Sequence, residues 1–248
     1  MDMKRKVIHT ILTMLVIMTF YFMAGAAVVT RNLTGSEAKI TQGIFIWLSV
    51  VVAVFFALCK YKSISVLGMN KIREGSLKEL FYLIPMLVVA LLGLIAGVDL
   101  SLGAGFLFAN LFLTIGVGFS EEIYFRGIIC NIWKEQGNTK AVIVSSILFG
   151  ICHLMNVLGG ANVGATILQI FFAFFYGIIF AIIFVNTNSL LPCVGLHFLH
   201  DFCAFIGNDI SENAEIGLIV MQTVIMFVYM AILLKQNILA ENRALTGE

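Results

Sequence analysis

The chain has 248 residues, 60% of them hydrophobic and only 12% charged, with a mean hydropathy of +1.03 and a formal net charge of +1. That composition excludes an ordinary soluble domain, and so even a charge balance gives nucleic acid nothing to hold. The expectation is an all-α, polytopic membrane protein. Five cysteines (Cys59, Cys130, Cys152, Cys193, Cys203) lie scattered in apolar runs with no C-x-x-C pair, and read as small buried apolar residues. With two prolines, no Gly/Ser-rich linker and no internal repeat, residues 1–248 read as a single integral membrane domain.

In chain order, eight stretches are long and apolar enough to cross a hydrocarbon core of about 30 Å. The first, near 7–29, follows the basic start "MDMKRK", which resembles a signal peptide; its apolar run is long for one, so an uncleaved span is expected. The others lie near 41–59, 79–98, 106–132, 141–158, 164–185, 189–207 and 215–234. Between the second and third, "KYKSISVLGMNKIREGSLKE" reads as a basic amphipathic connector resting on anionic lipid. The aromatic run "FFAFFYGIIF" in the sixth reads as lipid-facing or packing surface.

Basic residues fall in alternate connections. Lys4, Arg5 and Lys6 precede the first span; Lys60, Lys62, Lys71, Arg73 and Lys78 lie between the second and third. Lys134 and Lys140 join the fourth to the fifth, and Lys235 and Arg243 follow the eighth. Eight spans put all of these on one side, which the positive-inside rule makes the cytoplasm, so both termini are expected there.

Charges inside the spans stand out, since each costs roughly 2.5–3.5 kcal/mol at a helix centre even on the lenient insertion scale. In "GFSEEIYFRG", Glu122 and Arg126 are four residues apart and share a helix face, so they can pair. Glu121 points roughly 140° away from Arg126 at 100° per residue, is left for another partner, and suits proton transfer. In "FGICHLMN", Phe149 and His153 share a face with Asn156 close by; in "HFLHD", His197 and Asp201 share one, and His200 lies about 60° round from His197. At 1.5 Å per residue, Glu121 and His153 both lie about 18 Å from the cytoplasmic ends of their spans, and His197 and Asp201 about 14 and 20 Å. Three helices thus bring polar groups to one level.

A carboxylate facing a histidine in a dry site can hold a water, take its proton and direct the hydroxide at a carbonyl, while a second histidine and its neighbour hold the oxyanion. That is peptide hydrolysis within a membrane. The zinc signature H-E-x-x-H is absent, although Glu121, His153 and His197 are enough ligands for a catalytic zinc. Ser120 has no G-x-S-x-G elbow around it. Two other classes remain open: a small proton-coupled transporter, and a catalytically idle immunity or scaffold protein.

E-E-x-x-x-R at 121–126, F-x-x-x-H at 149–153 and H-x-x-x-D at 197–201, in that order, resemble the CPBP family of intramembrane proteases, which includes the CAAX prenyl endopeptidases and the bacteriocin-processing and self-immunity proteins. The resemblance covers about residues 104–207, a four-helix core. It implies an eight-helix fold open to the cytoplasm and to lipid. Glu121 and His153 would be the water-activating pair, and His197 with Asp201 the oxyanion side; Glu122 and Arg126 would be a structural pair, with Phe149, Asn156 and His200 supporting. The third motif often ends in Asn in the family; Asp201 takes that place here, and as an anion it would repel an oxyanion unless protonated or turned to orient a histidine. No cofactor is favoured, with zinc the alternative. The partners expected are the bilayer and a membrane-associated peptide or protein, such as a bacteriocin precursor, in a bacterial plasma membrane; an oligomeric state is not read from the sequence.

Overall fold

The computed structural model describes residues 1–72 and 83–246, with side chains as far as Lys235. It is built of helices. In order they are α1 (Met3–Thr30), α2 (Gly35–Tyr61), a 3-10 turn (Ile64–Leu67), α3 (Ile84–Leu91) with a 3-10 extension (Leu92–Leu94), and α4 (Ala104–Glu122). A π-helical segment (Ile123–Cys130) continues α4 into α5 (Asn131–Lys134); α6 (Asn138–Cys152), α7 (Met155–Leu158), α8 (Val163–Thr187), α9 (Leu191–Ile206) and α10 (Glu212–Thr246) follow. Among the described residues, pairing of extended backbone is limited to one antiparallel bridge, Val98 with Gly207.

Among the described residues, six helical runs are long and apolar enough to cross a membrane: Met3–Thr30, Gly35–Tyr61, Ala104–Lys134, Asn138–Leu158, Val163–Thr187 and Glu212–Lys235. The third and seventh expected spans appear as shorter apolar helices, Ile84–Leu94 and Leu191–Ile206. At 1.5 Å per residue the latter is about 24 Å long, less than a full hydrocarbon core. Among the described residues the eight expected stretches are therefore six full-length runs, the short Leu191–Ile206, and a third span whose described part is Ile84–Leu94. Residues 79–82 of the expected third span, Arg73 and Lys78 lie outside the described residues, as does the side chain of Arg243.

The expected connector is shaped by specific contacts. Ile64–Leu67 makes a 3-10 turn, and Leu67 is buried rather than resting on a surface. Gly68 closes the turn at φ +81°, and its carbonyl accepts from Leu190 N at 2.9 Å. Asn70 Nδ2 donates to Asn188 O at 3.1 Å, and Ser189 Oγ donates to Asn70 O at 2.7 Å. The connector thus clamps the corner between α8 and α9.

The helices that carry the polar motifs are drawn together by small residues, as between membrane helices generally. α4 packs on α2 and α9, and α6 packs on α8. One turn before the paired glutamates, a Cβ on Gly118 would lie 3.1 Å from the Val194 carbonyl of α9. One turn before His153, a Cβ on Gly150 would lie 3.0 Å from the Ile170 carbonyl of α8. In α8, 56% of the most apolar window is buried, against 11% in α1, so α8 is a central helix. Its aromatic run is largely interior: Tyr176 and Phe180 are buried, while Phe171 faces outward.

At the end of α5 the exposed Glu135 meets the buried Lys6 of α1, with Nζ 3.0 Å from Oε2. The hydrogen bond and charge of Lys6, with help from the terminal ammonium, hold the Glu135 carboxyl below the usual carboxylate range. Three cysteines, Cys130, Cys193 and Cys203, are buried as expected; Cys152 is half-buried and Cys59 exposed, and all five are free thiols.

Candidate active site

α4 delivers the first motif. Ser120 is buried in the packing, its hydroxyl 2.7 Å from Ser49 Oγ of α2. At Glu122 the α-helix gives way to the eight-residue π-helical segment, a form that recurs where helices carry functional groups. Gly127 lets the connector close onto that segment, since a Cβ there would run into the Leu67 carbonyl.

Glu122 and Arg126 are both fully buried, and Arg126 Nη1 lies 3.2 Å from Glu122 Oε1. Arg126 Cζ also stands 4.3 Å from the centre of the Phe149 ring and 5.7 Å from that of Phe180, so aromatic faces share in compensating a cation removed from water. The same Oε1 receives His197 Nδ1 at 2.8 Å. A carboxylate can only accept, so this contact fixes the proton on Nδ1 and turns Nε2 the other way. Nε2 then lies 3.6 Å from Glu121 Oε2 and 3.7 Å from Asp201 Oδ2. One imidazole is therefore framed by three carboxylates, two from α4 and one from its own helix.

His153 is the C-terminal cap of α6, where the expected continuous span breaks after Cys152 and resumes as the short α7. Its Nδ1 lies 3.0 Å from the Phe149 carbonyl. A carbonyl accepts only, so Nδ1 is the donor and Nε2 keeps its lone pair. The Phe149 ring stands edge-on between the two histidines, 5.2 Å from His153 and 6.1 Å from His197. Glu121 makes no direct pair with His153; besides His197, it has the Tyr21 hydroxyl of α1 beside it.

Phe149, His153, Gln169, Phe172, Tyr176, His197, His200 and Asp201 line a cavity of about 80 Å³. That is room for water. Asn156 stands at its edge and donates to Gln169 Oε1 at 2.7 Å rather than facing His153. His200 stacks on Phe172 at 5.2 Å and leaves Nδ1 buried without a partner. Reading "FFAFFYGIIF" as lipid-facing or packing surface leaves Tyr176 unseen as a cavity residue, and Gln169, just before that run, is likewise not among the expected site residues. Their seven-residue spacing, two polar groups on one face of an apolar helix, was the available signal.

Among the described residues no three His, Cys, Asp or Glu side chains are arranged to hold a metal ion. Glu121, His153 and His197 do not form such a set here. His197 already has Glu122 on one nitrogen and two carboxylates near the other.

Residues 103–203 match the family described as type II CAAX prenyl endopeptidase, Rce1-like. The match contains every motif residue of the site, from Glu121 to Asp201. No match to a curated protein was found.

Proposed function

Because residues 103–203 belong to the Rce1-like type II CAAX prenyl endopeptidase family, we propose that the chain is an intramembrane endopeptidase in which Glu121 and His153 activate a water without a metal. The observation that carries this reading is the meeting of Glu121 Oε2 and His197 Nε2 at 3.6 Å, beside a cavity into which His153 is turned. A water between Glu121 and His153 has one acceptor on each side. Glu121 takes its proton, and the hydroxide adds to the scissile carbonyl carbon. The proton passes to the leaving amine as the tetrahedral intermediate collapses.

His197 serves the oxyanion from Nε2, which requires a proton there as well as on Nδ1. The three carboxylates around the ring match that doubly protonated form. Asp201, an acceptor, is better suited to orienting His197 than to holding the oxyanion itself. The substrate is a peptide or protein held at the membrane, which reaches the site through the bilayer or from the cytoplasmic side. A small membrane peptide in a bacterial plasma membrane, with both protein termini cytoplasmic, fits the short loops and the distribution of Lys and Arg.

Replacing Glu121 by Gln tests the proposal. The expected result is a folded, accumulating protein that no longer cuts a quenched fluorescent peptide on an apolar anchor, chosen from a pool as one the wild type cuts. Wild-type turnover by purified Glu121→Gln would remove that residue from the mechanism.

A further inference from the structure

Tyr176 of α8 is only 3% exposed, and its hydroxyl is buried without a hydrogen-bond partner. A buried hydroxyl with no protein partner is costly, and such groups call for a specific explanation. Its place supplies one. Tyr176 lines the same cavity as His153, His197 and Asp201, and its ring centre is 5.5 Å from that of His197.

Apart from the imidazoles of His197 and His200, the groups that line the cavity are mostly acceptors. Asp201 offers only a carboxylate, and the Nε2 of His153 is a lone pair because its Nδ1 is bound to the Phe149 carbonyl. Gln169, toward the rim, is tied to Asn156. Inside, the Tyr176 hydroxyl is a neutral O–H donor that needs no change of protonation. The ring is also held in place. Phe172 stacks against it at 5.7 Å with planes 24° apart, Phe180 contacts it at 4.1 Å, and His200 closes a third side at 5.7 Å. A donor fixed before the reaction, aimed where negative charge develops, is the arrangement that stabilises an oxyanion most effectively.

We propose that Tyr176 is a catalytic residue that donates a hydrogen bond to the oxyanion of the tetrahedral intermediate, a role the adjacent Asp201 carboxylate cannot fill. This rests on the peptidase reading above. When hydroxide adds to the carbonyl carbon, the π electrons move to oxygen, and the Tyr176 O–H donates to that oxygen without transferring its proton. The charge is released when the carbonyl re-forms and the C–N bond breaks.

The test uses the full chain in detergent and the same anchored quenched peptide. Tyr176→Phe removes one unpaired oxygen, so the melting temperature should hold or rise, kcat should fall about 10²- to 10³-fold, and KM should stay within a few-fold. Adding Asp201→Asn to that variant places an amide donor in the cavity and should restore part of kcat. Near-wild-type kcat in Tyr176→Phe while Glu121→Gln is inactive would overturn this role and leave the peptidase reading intact; activity in Glu121→Gln would overturn the reading beneath it. A rise in KM at constant kcat would also overturn the oxyanion role, as would a loss of kcat that tracks lost stability and is not repaired by Asp201→Asn.

Discussion

His197 Nδ1 lies 2.8 Å from Glu122 Oε1, the same oxygen that holds Arg126 at 3.2 Å. Glu122 therefore joins two tasks: it neutralises a fully buried cation, and it sets the tautomer and rotation of an imidazole whose other nitrogen faces Glu121. The sequence spacing shows the first task and conceals the second.

Replacing Glu122 should therefore separate stability from activity. Glu122→Gln leaves Arg126 buried without its counter-charge, a loss of about 3–5 kcal/mol when a buried pair is broken on one side. It also replaces the acceptor of His197 by an amide that can turn either way. The melting temperature should fall, and cleavage with it. Adding Arg126→Met should recover much of the melting temperature, since aromatic rings already surround that side chain, but it should leave cleavage impaired. Strict additivity of the two substitutions in melting temperature would show that the pair contributes no coupling energy.

Gly127 should not tolerate a methyl group. A Cβ there meets the Leu67 carbonyl, a backbone atom fixed by the turn that also holds Leu190 at the start of α9. Gly127→Ala should destabilise by about 1–3 kcal/mol, as overpacking does. Gly105, in the first turn of α4, has no atom within 4 Å of an added Cβ. Gly105→Ala should be neutral or stabilising by up to about 1 kcal/mol. Parallel thermal melts of the two variants make the comparison, and equal effects would remove the special status of the connector's contact with the π-helical segment.

Much of the site was legible because side chains four residues apart on a helix must meet. Glu122 with Arg126, and His197 with Asp201, are of that kind. The contact of Glu122 with His197 was not legible, because it depends on how α4 and α9 rotate against each other, and that rotation is set by close approaches such as Gly118 to Val194. The π-helical segment leaves no proline or other local mark in "IYFRGIIC". Residues 189–207 read as a full span because apolar composition continues past the ends of α9 into a bend and a bridge. Tyr176 was lost in a run of phenylalanines whose interior face hydropathy does not distinguish from its lipid face.

The Lys6–Glu135 contact should impose a pH dependence at the end of α5. Lys6 and the terminal ammonium hold the Glu135 carboxyl below its usual range. A lowered folded value means that the stabilisation is complete above the unfolded carboxylate pKa of about 4.3 and is lost as pH falls through the lower folded one. The melting-temperature difference between wild type and Glu135→Gln should therefore be constant from neutrality to about pH 5 and shrink below about pH 4. A difference that vanishes between pH 6 and 7 would point to another group.

The last prediction concerns metal. A catalytic zinc needs three protein ligands and one open position. His197 is engaged on Nδ1 by Glu122, and its Nε2 faces two carboxylates. His153 presents a free Nε2 behind an Nδ1–H bonded to a carbonyl, an orientation that suits a metal ligand as well as a base. Arg126, one turn from the glutamates, adds positive charge where a dication would lie. Purified protein dialysed against a strong chelator should therefore keep its full cleavage rate, and His153→Ala should abolish cleavage without changing metal content measured by elemental analysis. Zinc bound one to one, with activity lost on its removal and restored on its return, would establish a metalloprotease, with His197 ligating through Nε2 while Nδ1 keeps Glu122.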